Sequence, residues 1–254
     1  MSERLSGEAL LGALESGQLR VAERGPDGAW SVHGWVKEEI LAIFRSSAVE
    51  AHPGGFVDKA AFPVRAFTPD DGVRLVPGGS SVRRGAHLAA GVVCMPPMYV
   101  NVGAYVGAGT MIDSHALVGS CAQIGERVHL SAGAQIGGVL EPIRARPVIV
   151  EDDVLVGGNS GLFEGVLVRA GAVISAGVQL TGSTPVFDLV HERELRGSAE
   201  DPLEIPAGAV VLPGSRPARG AWAAERGLTQ ACCLIVKYRD ERTDAATGLE
   251  DALR

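Results

Sequence analysis

A six-residue spacing of aliphatic side chains runs through the middle of this chain and restricts the folds open to it. Of 19 positions in this spacing, 18 are Val, Leu or Ile. A short unit repeated at fixed length indicates a repeat architecture, in which each unit buries its apolar side against its neighbours. The positions are Val76, Val82, Leu88, Cys94, Val100, Val106, Ile112, Val118, Ile124, Leu130, Ile136, Val150, Val156, Leu162, Val168, Ile174, Leu180, Ile205 and Val211.

Small residues follow the aliphatic positions in the same rhythm. The third residue after an aliphatic position is often Gly, as at Gly103 and Gly133, and Asp153 and Asn159 take that place twice. A tight corner with positive φ favours these three residue types. Each hexad therefore predicts a short strand and a corner, and three hexads close a triangular coil of 18 residues. The chain should form a mainly β protein of about six stacked coils, a parallel β-helix.

Two steps interrupt the spacing. The step from Ile136 to Val150 covers 14 residues, which we interpret as two hexads plus two extra residues in or near GVLEPIRARP. The step from Leu180 to Ile205 covers 25 residues and is rich in charge. Long insertions carry function more often than the repeats they interrupt.

The segments outside the spacing predict a division into three parts. Residues 1–73 should form a small N-terminal α+β domain, 74–216 the β-helix with an excursion at about 185–204, and 217–254 a C-terminal extension of one strand and a short helix. The evidence is local: apolar spacing and capping residues predict helices, and turn residues between apolar runs predict a hairpin. The predicted elements are a helix from a Ser6 cap to Ser16, a hairpin of 19–23 with 29–32, a helix over 35–45, a strand ACCLIVKY and a terminal helix capped by Thr243.

Charge and composition exclude several classes of protein. The chain has 23 Lys and Arg against 30 Asp and Glu, a formal net charge of −7, and so lacks the basic face of a nucleic-acid binder. Acidic residues interrupt the apolar N-terminal stretch, and no apolar run approaches the ~20 residues of a membrane span. The four cysteines show no zinc-type spacing. We expect reduced thiols, a cytoplasmic location and no metal site.

The stretch YVNVGAYVGAGTMIDSHALVGSCAQIGERVHLSAGAQIGGVLEPI, residues 99–143, closely resembles tetrahydrodipicolinate N-succinyltransferases. The similarity extends outside the hexads to LRVAERGPDGAW, GWVKEEILAIFR, FVDKAAFPV and RLVPGGSSVRRGAHLA, and so covers nearly the whole chain. The resemblance implies a left-handed parallel β-helix and a homotrimer of the lysine and diaminopimelate pathway. It also implies transfer of a succinyl group from succinyl-CoA to the amine of a ring-derived dicarboxylate.

The same resemblance suggests catalytic and substrate-binding residues. Asp113 in TMIDSHALVG matches the family's acidic residue, a general base or an amine ligand, and Arg74 in RLVPG matches an arginine that holds a substrate carboxylate. His115 stands where the family has tryptophan. Gly161 stands where the family has a second functional glutamate, and Glu164, three residues on, is the candidate replacement.

Positions on the predicted coil add to this set. Residues 18 apart should stack, so Met95, Asp113 and Ser131 should form one outward ladder. His115, Cys121 and Arg127 are three consecutive corners without glycine. Departures from a local rule concentrate at functional sites, so we expect these corners to form a patch, with His115 and Arg127 contacting substrate.

The later coils are candidates for binding CoA. Glycine-rich corners let a pantetheine arm approach the backbone, and basic residues near the end of the β-helix can hold its phosphates. We expect this groove to lie between two subunits of a trimer, with Asp113 on one wall and the later coils on the other. The predicted CoA-binding residues are Gly158, Ser160, Ser175, Gly177, Arg216 and Lys237, with Arg239 a further candidate for the phosphates.

Three alternative functions remain at this point. An acetyl-CoA-dependent relative would use nearly the same residues, and Gly161 keeps it open. A trimeric β-helix metalloenzyme would need three clustered histidines, but the spacings of His87, His115 and His129 do not stack them. A purely structural role would need only the hexads, not the specific motifs outside them.

Overall fold

The structure, a computed structural model, describes residues 4–198 and 201–240. The terminal helix predicted after Thr243 lies outside the described residues. None of the helices in the described chain is long and apolar enough to cross a membrane.

The N-terminal region forms the two predicted helices, the predicted hairpin and a second hairpin. Ser6 occupies the N-cap of the first helix, but its side chain makes no capping hydrogen bond. The second hairpin carries no alternation that the sequence could reveal, because most of its residues are exposed. The elements are α1 (Gly7–Glu15), β1 (Ala22–Arg24), β2 (Trp30–Val32), α2 (Gly34–Ser46), β3 (Val49–His52), β4 (Phe56–Lys59) and a 3₁₀ turn at Pro69–Asp71.

Short strands then follow one another around a triangular coil, which confirms the predicted parallel β-helix. Each strand pairs in parallel with the strand one coil above and one coil below. The strands are β5 (Arg74–Leu75), β6 (Ser81–Val82), β7 (His87–Leu88), β8 (Val93–Cys94), β9 (Tyr99–Val100), β10 (Tyr105–Val106), β11 (Met111–Ile112), β12 (Leu117–Val118), β13 (Gln123–Ile124), β14 (His129–Leu130), β15 (Gln135–Ile136), β16 (Ile149–Val150), β17 (Leu155–Val156), β18 (Gly161–Leu162), β19 (Leu167–Val168), β20 (Val173–Ile174), β21 (Gln179–Leu180), β24 (Glu204–Ile205) and β25 (Ala209–Pro217).

The strands stack into three faces. Face 1 contains β5, β8, β11, β14, β17, β20 and β25, face 2 contains β6, β9, β12, β15, β18 and β21, and face 3 contains β7, β10, β13, β16, β19 and β24. We call the corners between them edge 1/2, edge 2/3 and edge 3/1, in the order in which the chain passes them. The second residue of each paired strand points inward, and these aliphatic side chains form one buried column with the small residues beneath the corners.

The first coil departs from the predicted spacing by one residue. Leu75, and not Val76, pairs with Cys94 at the inward position. The chain between Leu75 and Val82 therefore holds one residue more than a hexad. The run RLVP offers two neighbouring aliphatic residues, and the sequence pattern alone could not choose between them.

The first interruption is a single loop, not two hexads with two extra residues. Gln123 pairs with Ile149, a step of 26 residues where the other coils take 18. Eight additional residues therefore lie in one corner at edge 2/3. We call residues 137–148 the corner loop. The interpretation of GVLEPIRARP as part of the repeat was wrong because the loop contains no strand.

The second interruption and the C-terminal region extend face 1. The excursion forms β22 (Val186–Asp188) and β23 (Arg193–Leu195), and the chain ends in β25, α3 (Ala221–Glu225) and β26 (Thr229–Tyr238). β25 and β26 form an antiparallel hairpin, and β22 pairs in parallel with β26. The predicted C-terminal strand is thus present, and it joins the sheet that face 1 begins.

Asp188 fixes the excursion to the last strand. Its carboxylate accepts hydrogen bonds from Tyr238 Oη at 2.8 Å, His191 Nδ1 at 2.9 Å and Arg193 Nε at 3.0 Å. Burial alone would raise the pKa of Asp188, but these hydrogen bonds outweigh it and hold the pKa well below its ordinary value. A carboxylate with several donors in a buried site stabilises the ionised state and the fold together.

Candidate active site

Asp113 follows β11 at edge 1/2, with one carboxylate oxygen available. Its Oδ1 accepts a hydrogen bond from the backbone N–H of Ser114 at 2.6 Å. Within the described residues, its other oxygen has no protein partner. The side chain is partly buried. This carboxylate can therefore accept a proton or a hydrogen bond from a ligand amine.

The predicted ladder through Asp113 is confirmed. The N–H of Met95 donates to the carbonyl of Ile112, and the N–H of Asp113 donates to the carbonyl of Leu130, so positions 95, 113 and 131 are neighbours. Below Ser131 the ladder continues through Gly157 and Ser175. Ser175 lies three strand spacings, about 14 Å, from Asp113 along edge 1/2.

Arg74 lies on the same face as Asp113. It is exposed on β5, and β8 alone separates that strand from β11. Two strand spacings place the two backbones about 10 Å apart. One chain thus presents a carboxylate and a guanidinium along one face.

His115 also lies at edge 1/2, two residues beyond Asp113. It is exposed, and its backbone has φ 63°. The ring borders a shallow cavity of about 290 Å³ on face 2, together with Pro97, Tyr99 and Gln135. The structure therefore brings His115 close to Asp113 along the chain.

The three corners without glycine do not form a patch, and this expectation was wrong. His115, Cys121 and Arg127 all have positive φ, as predicted for corners. Consecutive corners of a triangular coil lie at three different edges, so they point in three directions. Cys121 is buried against the core of the N-terminal domain, and burial raises the pKa of its thiol to about 12.

Arg127 is already paired within the chain. Its Nε and Nη2 donate to the two oxygens of Asp153 at 2.8 and 3.0 Å, and Nη1 donates to Glu126 at 2.8 Å. Hydrogen bonds to Asp153 and Glu126 raise the pKa of the guanidinium above its usual value. Arg127 lies at edge 3/1, so the structure does not bring it near Asp113.

Glu164 lies in a cavity at edge 2/3. The cavity has a volume of about 720 Å³, within the range of small-molecule sites. Glu164 has φ 54°, and its Oε2 accepts a hydrogen bond from the N–H of Gly182 at 3.2 Å. The corner loop provides a second carboxylate, Glu141, and Phe163 and Ser183 also line the space.

Neighbouring side chains fill the place of a side chain at Gly161. A Cβ atom built there would overlap the ring of Phe163 and Oε1 of Gln179. An acidic side chain at position 161 would require both to move. The sequence gave no signal for this, because the two side chains come from different positions along face 2.

The predicted CoA-binding residues fall into three groups. Gly158, Ser175 and Gly177 lie at edge 1/2, below Asp113, and Gly177 faces open space. Ser160 is buried, and its hydroxyl donates to the carbonyl of Ser175 at 2.8 Å. Its side chain therefore connects two coils and does not reach the surface. Arg216 and Lys237 lie on the C-terminal hairpin and separate in space.

The hairpin places these two cations at opposite sides of face 1. β25 continues past the end of β20 and carries Arg216 beyond edge 1/2, on the side of Asp113. Lys237 pairs with Val210 near edge 3/1 and forms an ion pair with Asp240 at 3.2 Å. Arg216 therefore continues the edge that Asp113 begins, and Lys237 does not.

One chain cannot bring Asp113 and Glu164 together. Asp113 lies at edge 1/2 and Glu164 at edge 2/3, so the width of face 2 separates them. They also differ in height, because β15 lies between β12 and β18 on that face. A site that contains both carboxylates needs two copies of the chain.

Comparisons with known proteins agree with the fold and the motifs. Residues 6–46 match the family model for the N-terminal region of tetrahydrodipicolinate N-succinyltransferase, and residues 147–182 match the hexapeptide repeat of succinyl-transferase. The curated 2,3,4,5-tetrahydropyridine-2,6-dicarboxylate N-succinyltransferase of Nitrobacter winogradskyi is 46% identical over 96% of this chain and 87% of its own length. The protein of that name from Acinetobacter baylyi is 43% identical over 99% of this chain and 89% of its own.

A solved structure shows the same fold at lower sequence similarity. It comes from a Campylobacter jejuni protein proposed to be a 2,3,4,5-tetrahydropyridine-2-carboxylate N-succinyltransferase, with a TM-score of 0.51 and 21% identity. The match covers 97% of this chain and 65% of that one. The fold and the edge that Asp113 begins are those of a hexapeptide-repeat acyltransferase. Within that class, the chain belongs to the tetrahydrodipicolinate N-succinyltransferase family.

Proposed function

We propose that this protein transfers the succinyl group of succinyl-CoA to the amine of tetrahydrodipicolinate in its hydrated or ring-opened form. The observation that carries the proposal is the identity of 46% with a curated succinyltransferase over 96% of the chain. The product would be N-succinyl-2-amino-6-oxopimelate, an intermediate of lysine and diaminopimelate synthesis. The available oxygen of Asp113 and the groove below it fit this chemistry.

Asp113 acts as general base or amine ligand in this reaction. The neutral amine attacks the thioester carbonyl, the C–N bond forms, and the carbon–sulfur bond then breaks. The amine proton passes to the carboxylate of Asp113 and from there to the departing thiolate, so the products are an amide and free CoA. Arg74, on the same face, holds a carboxylate of the acceptor as a charged hydrogen-bond donor.

The CoA arm lies along edge 1/2. Gly158 and Gly177 leave room for a pantetheine chain beside the backbone, and the ~14 Å from Asp113 to Ser175 suits an extended arm. Arg216 lies beyond this edge, on the same side, and is placed to meet the phosphates of CoA. Within the described residues no group of three or more His, Cys, Asp and Glu side chains could hold a metal ion. The proposed steps use none.

The active unit is a homotrimer with sites between subunits. Asp113 and Glu164 lie at different edges of face 2, so a cyclic trimer can place edge 1/2 of one subunit beside edge 2/3 of the next. All four cysteines are free thiols, which agrees with a location in the reducing cytoplasm. In light scattering the active species should have three times the 26.3 kDa mass of one chain. Turnover by a species of one chain's mass would contradict the shared site.

The test of the activity is thiol release from succinyl-CoA and from acetyl-CoA, each with and without tetrahydrodipicolinate. Release with succinyl-CoA that depends on the acceptor is the expected result. Preference for acetyl-CoA would replace the proposed donor, and it is the alternative that Gly161 keeps open. Release with neither donor would refute the proposed acceptor.

A further inference from the structure

Lys37 is a completely buried lysine in the N-terminal domain, without an acidic partner in the described chain. It lies on α2, and its Nζ donates one hydrogen bond, to the carbonyl oxygen of Ala145 at 2.7 Å. Burial lowers the pKa of its ammonium, and the thiol of Cys121 acts in the opposite direction. Burying a charge without a counter-charge is costly, and an apolar side chain would fill the same space at lower cost. The hydrogen bond to Ala145 is therefore the feature to explain.

Ala145 belongs to the corner loop, which forms one wall of the cavity at edge 2/3. Ala145, Glu141 and Pro142 line that cavity directly. Glu164 faces it from the opposite wall. A shift of the carbonyl of Ala145 would therefore change the width of the cavity.

The N-terminal domain holds the corner loop at two further points. Gly34, at the start of α2, lies so close to Ile143 that a Cβ atom there would be 3.3 Å from its Cγ2. Leu140 packs against the apolar core of the N-terminal domain. The loop thus rests on α2 along its length, and Lys37 supplies the polar contact.

Arg146 fixes the next residue of the loop to the other walls of the cavity. Its Nε donates to the carbonyl of Gly165 at 2.8 Å, beside Glu164, and its Nη2 donates to the carbonyl of Pro202 at 2.7 Å. Pro202 also lines the cavity. The hydrogen bond from Lys37 and those from Arg146 therefore act on adjacent residues, and together they set the distance between the loop and Glu164.

We propose that Lys37 is a positioning residue: its ammonium holds the carbonyl of Ala145 and so sets the width of the cavity that binds the dicarboxylate acceptor. This inference rests on the proposed function for the identity of the ligand. It does not rest on that function for the effect on the corner loop. Lys37 contacts neither substrate nor CoA and acts only through the loop.

The test replaces Lys37 by Met, which keeps the apolar stem and removes the charge. The matched control is Lys59→Met, because Lys59 Nζ also donates to a backbone carbonyl, that of Ser47 at 2.8 Å, but in a hairpin away from the cavity. For Lys37→Met, kcat/KM for the acceptor should fall about 10–100-fold, chiefly through KM, since small displacements at a site have effects of this size. The melting temperature should stay unchanged or rise, and amide exchange should accelerate in residues 137–148 alone.

Each alternative result decides the question. Lys37→Gln, which keeps an N–H donor on a shorter stem, should fall between wild type and Lys37→Met. Unchanged KM and unchanged exchange in Lys37→Met would overturn the proposal, as would a uniform loss of stability or the same KM change in Lys59→Met. If wild type shows no turnover of tetrahydrodipicolinate, the proposed function fails, and loop exchange in the two variants still decides the role of Lys37.

Discussion

Replacing Asp113 by Asn separates the proposed base from its local structural role. The backbone N–H of Ser114 donates to one oxygen of Asp113, and Asn retains that acceptor. Only the available oxygen, the one proposed to take the amine proton, is lost. The fold should therefore be unaffected, with a change in unfolding free energy within about 0.5 kcal/mol.

The expected loss is confined to the transition state. General base catalysis contributes ~10²–10⁴-fold, so kcat should fall by that factor. At 1.36 kcal/mol per tenfold, the barrier rises by about 3–5 kcal/mol. KM for succinyl-CoA should change little, because the carboxylate does not contact the CoA arm along edge 1/2.

The assay is the rate of thiol release from succinyl-CoA at saturating acceptor, with Asp152→Asn as the matched control. Asp152 Oδ1 also accepts a backbone N–H, that of Glu126 at 2.8 Å, but at edge 3/1. The control should retain wild-type kcat. A Asp113→Asn variant that folds and turns over within about threefold of wild type would refute the assignment.

Three further substitutions test other parts of the site and fold. Arg74→Ala should raise KM for the acceptor about 10–100-fold with KM for succinyl-CoA unchanged in steady-state assays, because a charged hydrogen bond contributes about 1.5–3 kcal/mol; an unchanged acceptor KM would remove Arg74 from the site. Arg127→Ala should leave both KM values within about twofold, because Asp153 and Glu126 already pair with this side chain at another edge; a large rise would return it to the site. Asp188→Asn should lower the free energy of unfolding by about 1–3 kcal/mol at pH 7 in urea titrations. Because the folded pKa of Asp188 is depressed, its contribution is present above the ordinary Asp pKa of about 4 and disappears as pH falls through the lower folded value. The difference between variant and wild type should therefore narrow in acid, and a difference independent of pH would contradict the role of its charge.

The β-helix itself was predictable because one physical requirement repeats. Every coil must put an aliphatic side chain into the same column and a positive-φ residue at the corner, and both appear in the sequence at fixed spacing. Asp153 and Asn159 were identified as corners for this reason, and both have positive φ. The ladder through Asp113 follows from the same period.

Local irregularities were not predictable from the period. Val76 fits the spacing as well as Leu75 does, and only pairing with the next coil selects the inward residue. The corner loop contains Val and Leu residues that resemble a further hexad, but it leaves the coil and packs against α2. Such choices depend on contacts between segments distant in sequence.

The candidate site was predictable in its parts but not in its arrangement. Counting corners places His115 and Arg127 close together in sequence, although the coil turns them to different edges. Whether a side chain is free also depends on its partners: Ser160 and Arg127 look available in the sequence, and both are engaged in the folded chain. The filled space at Gly161 involves Phe163 and Gln179, which only the folded chain brings together.

The extension of face 1 by the C-terminal strands also determines how the molecule behaves towards its own copies. A stack of parallel strands could grow without limit, because its last strand leaves backbone groups open to another chain. Here the sheet ends in β23, a three-residue strand with Arg193 and Glu194 exposed. A short, charged last strand is a poor template for a further one. The excursion that interrupts the repeat thus acts as a terminator, which keeps a fold built for fibre-like growth a discrete molecule.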